Sequence, residues 1–244
     1  MLFKVYCQNI DRTWSHGKSA DLVVYYGFTD SFVNRLPVFY EYLSDHEKSK
    51  AECFRHVSDY NCYVLSHALL RIELSKLLGI KAKSLKIRES EKGKPFIPGI
   101  DLPFSLSRTK NLFAFVVGHS NQFLGVDIEQ IKPEIDFINI SRNYYGANEQ
   151  KLILSFNNIA DQKRTFFEIW TRKEALLKAL GIGIITELSK VQVLEGKNMV
   201  DIKEVQINDH LFKITTTLRK EALISIASSK DFVPEFKNLS FILS

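Results

Sequence analysis

Two stretches decide how this chain reads: Phe123-Leu124-Gly125-Val126-Asp127-Ile128-Glu129, and, some forty residues later, Trp170-Thr171-Arg172-Lys173-Glu174-Ala175-Leu176-Leu177-Lys178. In the first, apolar residues dominate and acids enter only at the end, as in a strand running out of a core. Successive strand side chains alternate faces, so Asp127 and Glu129 point the same way. The second falls in residues 161–180, rich in helix formers, with apolar residues at Phe166, Ile169, Trp170, Leu177 and Leu180. At about 100° per residue, Glu174 and Lys178 lie one turn apart on the edge of that apolar stripe. Two carboxylates on a strand end and one on a facing helix, with a lysine beside them, suit a hard divalent cation. Magnesium takes oxygen ligands and keeps waters and phosphate oxygens in its shell, so two or three carboxylates suffice; manganese would accept the same set. Taken singly, an Asp-x-Glu is also a solvated turn and a Lys-Glu-x-x-x-Lys also a surface ion-pair helix, worth about 0.3–0.5 kcal/mol per pair.

Working outward, residues 2–9 read as a strand, 30–43 as an irregular helix disturbed by Pro37, and 56–78 as a long helix stopped by Gly79. Short strands are expected at 84–88, 103–107 and 111–117. The order then recurs: a strand from Phe123, helices over 136–157 and 161–180, and strands near 188–194, 211–218 and 222–227. The expected fold is therefore α/β, built of two similar lobes. Residues 1–122 form the first lobe, 123–230 the second, and 231–244 a terminal extension without an assigned role.

Composition bounds the function. The chain has 244 residues, 45% hydrophobic and 25% charged, ordinary for a globular protein with one large or two small cores. No apolar run reaches the eighteen or so residues of a membrane span, and Met1-Leu2-Phe3-Lys4-Val5-Tyr6 lacks a signal-peptide layout, so a cytoplasmic location is expected. Cys7, Cys53 and Cys62 have no metal-ligand spacing and cannot all pair, which suits a reducing compartment. The net charge of +5 comes from dispersed lysines, so an acidic ligand or acidic protein partner is expected in preference to nucleic acid.

Gly125-Val126-Asp127-Ile128-Glu129 followed by Trp170-Thr171-x-Lys173-Glu174-Ala175-x-x-Lys178 closely resembles the signature of 4′-phosphopantetheinyl transferases of the surfactin-synthetase-activating (Sfp-like) type. Gly93-Lys94-Pro95 with Phe96-Ile97-Pro98 resembles that family's Gly-Lys-Pro element, and Phe104-Ser105-Leu106-Ser107 its Phe-Asn-x-Ser element. The resemblance implies two lobes related by a pseudo-twofold axis, each a small sheet packed by a long helix, with the active site between them. It also implies magnesium-dependent transfer of the 4′-phosphopantetheine group from coenzyme A to a serine of an acidic apo carrier protein; two fused lobes that complete their own cleft make a monomer the expected state. Carried over residue by residue, Asp127, Glu129 and Glu174 would bind the metal, Lys178 would contact the diphosphate, and Lys94, Ser107 and Arg108 would contact coenzyme A. Glu149 would be the base that deprotonates the serine; read by itself, it is a helix-start carboxylate favoured by the helix dipole. Trp170 and Lys173 lie in the apolar stripe, so Trp170 is expected to pack and Lys173 to find a buried partner or extend its stem to water.

Two departures stand out. Where the family has Ser-His-Ser or Ser-His-Thr, this chain has Ser107-Arg108-Thr109, and an arginine brings a permanent charge and forked donors to a phosphate. Where the family commonly has Asp-Arg-x-Arg, this chain has Asp59-Tyr60-Asn61-Cys62, with Lys48 or Lys50 as the nearby cations that could compensate. They motivate an alternative, a degenerate protein that binds coenzyme A or a carrier protein without turnover. A metal-dependent phosphodiesterase is a third reading, but the additional histidine and aspartate ligands of a two-metal site are not apparent.

Overall fold

The computed structural model describes residues 21–132, 134–183, 188–194, 203–207 and 210–241; the strand expected over residues 2–9 lies outside them. The chain is built as two sheets facing one another, each backed on its outer side by one long helix. The first sheet has the order β10-β1-β5-β4. It contains β1 (Asp21–Phe28), β4 (Phe104–Thr109), β5 (Leu112–Val117) and β10 (Val233–Asn238), with a separate two-stranded ribbon of β2 (Arg88–Glu89) and β3 (Pro95–Phe96). The second sheet, β6-β9-β8-β7, contains β6 (Leu124–Gln130), β7 (Lys203–Ile207), β8 (His210–Arg219) and β9 (Ala222–Ser228).

Helices α1 (Leu36–Tyr40), α2 (Asp45–Glu52) and α3 (Val57–Leu78) belong to the first lobe, and α4 (Phe137–Tyr144), α5 (Ala147–Leu154) and α6 (Ile159–Leu180) to the second. The two long helices, α3 and α6, are both 22 residues long, and both stop at a left-handed glycine, Gly79 at φ 66° and Gly181 at φ 68°. Only glycine takes that conformation without a Cβ penalty, so these two residues end the helices where the sequence pattern does. The expected two-lobed α/β architecture is what forms.

Alternation along the strands sorts the core into layers. Leu22, Val24, Leu112, Ala114 and Val116 of the first sheet meet Leu124, Val126, Ile128, Ile224 and Ile226 of the second in one buried cluster between the sheets. Phe104, Phe113 and Phe115 point the other way, onto Val64, Leu65, Ala68 and Leu69 of α3. Phe166, Ile169, Ala175, Leu176 and Ala179 of α6 cover the outer face of the second sheet.

Several elements differ from the sequence reading. Strand β1, not foreseen, is central to the first sheet, pairing antiparallel with β5 and parallel with β10. Residues 231–244, read as an extension, supply β10, which returns to the first lobe and runs beside β1 from Asp21↔Val233 to Tyr26↔Asn238. The helix expected over 136–157 breaks into α4 and α5 at Tyr145-Gly146. Residues 188–194 form a 3-10 turn (Leu188–Lys190) and an irregular segment instead of a strand, because side chains take the backbone partners a ladder would supply. Lys173 Nζ donates to the carbonyls of Leu188 (2.9 Å) and Val191, Arg172 Nη1 donates to the carbonyl of Val193 (3.3 Å), and Glu149 Oε1 accepts from the amide of Val193 (3.0 Å).

Candidate active site

The site grows from an edge of each sheet. Strand β4, at the edge of the first sheet, turns Ser105, Ser107 and Thr109 inward, opposite Val116, Ala114 and Leu112 on β5. These three bond to β6, the edge of the second sheet: Ser105 Oγ accepts from the amide of Val126 (3.1 Å), Ser107 Oγ donates to Asp127 Oδ1 (2.7 Å), and Thr109 Oγ1 donates to Glu129 Oε2 (2.9 Å). On β6 the period of two places Gly125, Asp127 and Glu129 on the face that meets α6. Gly125 lets the helix close in: a Cβ there would lie 2.0 Å from the carbonyl oxygen of Ala175 and 2.4 Å from the amide nitrogen of Ala179. That contact brings Glu174 and Lys178, one helical turn apart, against the strand carboxylates. Lys178 Nζ donates to Asp127 Oδ1 (2.6 Å) and to Ser107 Oγ (2.7 Å).

These residues line a cleft of about 460 Å³ at the junction of the lobes: Ser107, Arg108, Asp127, Glu129, Glu174 and Lys178, with Trp170 alongside. Six of the eight residues singled out from the sequence thus converge. Trp170 both packs, stacked on Phe166 at 6.3 Å, and presents an edge to the cleft. Asp59 and Cys62, from the stretch that departs from the family pattern, and Leu106 also line it, as do Phe54 and Lys110, which were not foreseen because a single aromatic and a single basic residue in separate elements carry no spacing signal.

The other two lie elsewhere. Lys94 is not in the cleft lining: its ammonium donates to the carbonyl of Ala179 (2.5 Å), where it faces the negative end of the α6 dipole and ties the β2–β3 ribbon to the second lobe. Burial lowers its pKa to about 8. Glu149, for which the role of general base is expected from the resemblance, also lies outside the cleft lining. Its side chain is 0% exposed; Oε2 accepts from the amide of Gly146 (2.9 Å) and from Lys173 Nζ (2.8 Å), and Oε1 accepts from the amide of Val193. A base needs a lone pair within reach of substrate, and these contacts commit both oxygens to the α5 N-terminus, the partner of Lys173 and the 188–194 segment. The carboxylate is the helix-start group that its position in α5 suggests. Glu149→Ala would leave the Lys173 ammonium buried without its counter-charge, an expected loss of about 3–5 kcal/mol in a urea titration. Glu149→Gln is expected to lose stability while its folded fraction turns over within tenfold of wild type, in contrast to the 10²–10⁴-fold loss typical of removing a base. Lys48 and Lys50 sit on α2, paired with Glu41 and Glu89, and do not line the cleft.

The carboxylates are electrostatically crowded. Burial, then repulsion from Asp127, pushes the Glu174 carboxyl up to about 7, with Lys178 opposing the shift; burial and Asp127 also raise Glu129. Asp127 Oδ2 and Glu174 Oε1 are buried with no hydrogen-bond partner among the described residues. No group of three acidic, histidine or cysteine side chains is gathered as a finished ligand set among the described residues, and one oxygen of Asp127 is already shared by Lys178 and Ser107. The donor chemistry nevertheless fits a hard cation: two anionic oxygens are orphaned, the third carboxylate, Glu129, is held by Thr109 and by Lys132 at 3.5 Å, and Lys178 is the lysine that reaches Asp127. Glu174 makes the stability of the fold depend on pH. Its folded-state pKa lies above the unfolded value of 4.5, so the stability it contributes is full below that value and is lost as pH rises through about 7. At pH 8 without divalent cation, Glu174→Gln is expected to be more stable than wild type by roughly 1–2 kcal/mol, with the gain gone at pH 4.5. Thermal melts across that range read it directly.

No helix among the described residues is long and apolar enough to cross a membrane. Comparison with known proteins supplies the family. A model described as the 4′-phosphopantetheinyl transferase superfamily matches residues 123–227, and one described as 4′-phosphopantetheinyl transferase, N-terminal, matches residues 33–130. The 4′-phosphopantetheinyl transferase HetI of Nostoc sp. is 30% identical over 155 residues, covering 62% of this chain and 64% of HetI. The 4′-phosphopantetheinyl transferase gsp of Aneurinibacillus migulanus is 34% identical over 144 residues, 58% of each chain, and Sfp of Bacillus subtilis is 25% identical over 156 residues, 64% of this chain and 67% of Sfp. The matched stretch thus spans less than two thirds of HetI and of gsp. The residues matched by the two family models, 33–130 and 123–227, include both sheet edges and the helix that build the cleft, and the chain belongs to the 4′-phosphopantetheinyl transferase superfamily.

Proposed function

We propose that this protein transfers the 4′-phosphopantetheine group of coenzyme A to a serine hydroxyl of an acidic apo carrier protein, releasing 3′,5′-ADP. The observation that carries the reading is the convergence of Asp127, Glu129, Glu174, Lys178 and Ser107 on one cleft between the lobes, with two carboxylate oxygens left unpartnered. In this reading Asp127, Glu129 and Glu174 hold a magnesium ion, manganese being an acceptable substitute. When bound, that ion neutralises charge on the coenzyme diphosphate. The chain's own groups do the rest. Lys178 leaves the Asp127 oxygen for the diphosphate, Ser107 keeps the Asp127 carboxylate oriented, and Arg108 takes a coenzyme phosphate. Lys94 braces the lobe junction from which these groups project. With the diphosphate held, the serine oxygen bonds to the pantetheine-bearing phosphorus as the bond to the departing ADP oxygen breaks and the hydroxyl proton is released to solvent; catalysis is then chiefly positioning and charge stabilisation.

The retained carboxylates and Lys178 disfavour the reading as a binder without turnover, and the two lobes complete their own cleft, which suits a monomer; its location in this reading is the cytoplasm, where coenzyme A and carrier proteins would meet it. No nucleic acid or membrane has a role in this scheme. Intact-mass spectrometry of apo carrier proteins incubated with the protein, coenzyme A and magnesium tests it. A phosphopantetheine-sized gain that disappears with chelator is expected; coenzyme A binding with no gain on any carrier would instead support the non-catalytic binder.

A further inference from the structure

The even-numbered residues of β4 face α3, away from the carboxylates, and Arg108 is the last of them. Its guanidinium carbon lies 4.9 Å from the ring centroid of Tyr63 and 5.8 Å from that of Phe54, both within the range of cation–π attraction. The Tyr63 ring is itself fixed. It is 1% exposed, its centroid is 5.2 Å from that of Phe54, and His67, one turn along α3, stacks on it at 3.9 Å and 24°. His67 is anchored in turn by Nδ1, 3.0 Å from the Tyr63 carbonyl oxygen. Burial drives the pKa of His67 down to about 3, so it adds no competing charge to the stack.

The other arginines that sit deep in this fold are tied down by their N–H groups. Arg71 bonds to Glu47 and to the carbonyls of Ala82 and Leu85; Arg172 bonds to Thr216 and to the Val193 carbonyl. Arg108 makes neither a hydrogen bond nor an ion pair among the described residues, although Asp59 lines the same cleft. It is held by ring faces alone. A stacked guanidinium keeps its five N–H donors for an incoming ligand and has already lost much of the rotamer freedom that a free arginine gives up on binding.

We infer that Tyr63 is a positioning residue: its ring, braced by Phe54 and His67, presets the Arg108 guanidinium as a forked phosphate-binding head at the first-lobe end of the cleft. The inference rests on coenzyme A being the ligand. An unsupported arginine at this point would have to be ordered by the phosphate itself, at a cost in affinity, whereas the stack orders it beforehand.

Calorimetric titration with coenzyme A, together with steady-state transfer kinetics, tests this. Tyr63→Leu is expected to weaken coenzyme A binding about five- to tenfold, with the loss falling on KM for coenzyme A and not on kcat. Tyr63→Phe, which keeps the ring, is expected to restore binding to within about twofold. In an Arg108→Ala background Tyr63→Leu should weaken binding no further, because the ring acts through the guanidinium. Undiminished binding by folded Tyr63→Leu, or a full additional loss in the double variant, would overturn the inference. Should Tyr63→Leu fail to fold, Phe54→Leu serves in its place, with an expected two- to threefold loss that also vanishes in the Arg108→Ala background; a loss that persists there counts against the role. Wild-type protein that takes up no coenzyme A would overturn the coenzyme reading itself, and this inference with it.

Discussion

Asp127→Ala is expected to lower transfer to a carrier protein on the order of a thousandfold or more while leaving the far-ultraviolet circular dichroism spectrum unchanged. Asp127 bonds to Ser107 and Lys178 and acts by its charge on both other carboxylates of the cluster. Its Oδ1 receives both Ser107 and Lys178, its Oδ2 is buried without a partner, and its charge raises both Glu129 and Glu174. Truncation therefore frees the lysine, turns the β4 hydroxyl loose and removes an anionic oxygen from the proposed cation site. The fold tolerates this because the Lys178 side chain is 32% exposed and can be hydrated in place of its lost partner. Asp127→Asn separates shape from charge: it keeps an acceptor for Ser107 yet is expected to lose nearly as much activity. Turnover within tenfold of wild type in either folded variant, followed by intact-mass spectrometry, would remove Asp127 from the chemistry.

Gly125→Ala is expected to be the most damaging single-methyl change in the second lobe. The added Cβ would meet backbone on α6, the Ala175 carbonyl oxygen at 2.0 Å and the Ala179 amide nitrogen at 2.4 Å, so no side-chain rotation relieves it. The helix would have to withdraw from β6, opening the cluster that includes Ala175, Leu176 and Ala179. Overpacking of this kind costs about 3 kcal/mol, which for a chain of this size corresponds to a fall in Tm of roughly 6–12 °C. Since the same withdrawal separates Glu174 and Lys178 from Asp127, activity should fall further than the folded fraction does. Scanning calorimetry and transfer assays on one preparation measure both; a Tm within 2 °C of wild type would show that the strand and helix are less closely seated than this.

Glu149 shows why a position within a motif is a weaker guide than its surroundings. Its order in the chain matches that of a family glutamate, yet its oxygens are spent on Gly146, Val193 and Lys173. Reading Glu149 by itself as a helix-start carboxylate describes what forms. Lys173 is the complementary case: a charge in an apolar stripe demands a buried partner, and the fold provides Glu149 with two carbonyls beside it.

Strand β1 could have been read from Leu22-Val23-Val24-Tyr25-Tyr26, a run of strand-favouring residues. Strand β10 could not. Its sequence, Val-Pro-Glu-Phe-Lys-Asn, mixes charges with a proline and is tolerated because it lies at a sheet edge, a placement that exists only once β1 is there to receive it.

The sequence by itself determined what is periodic or local: two long helices, the first with its stop at Gly79, the strand that carries Asp127 and Glu129 on one face, and the turn spacing that pairs Glu174 with Lys178. Those follow from a two-residue and a 3.6-residue repeat, which need no knowledge of the rest of the chain. Tertiary structure alone decided which groups meet. It set β4 beside β6 so that Ser107 and Thr109 hold the carboxylates, sank Glu149 onto Lys173, turned Lys94 to the end of α6, and laid Arg108 across Tyr63. Each of these is a contact between residues far apart in sequence, fixed by the packing of helix on sheet and sheet on sheet. No short-range pattern encodes it.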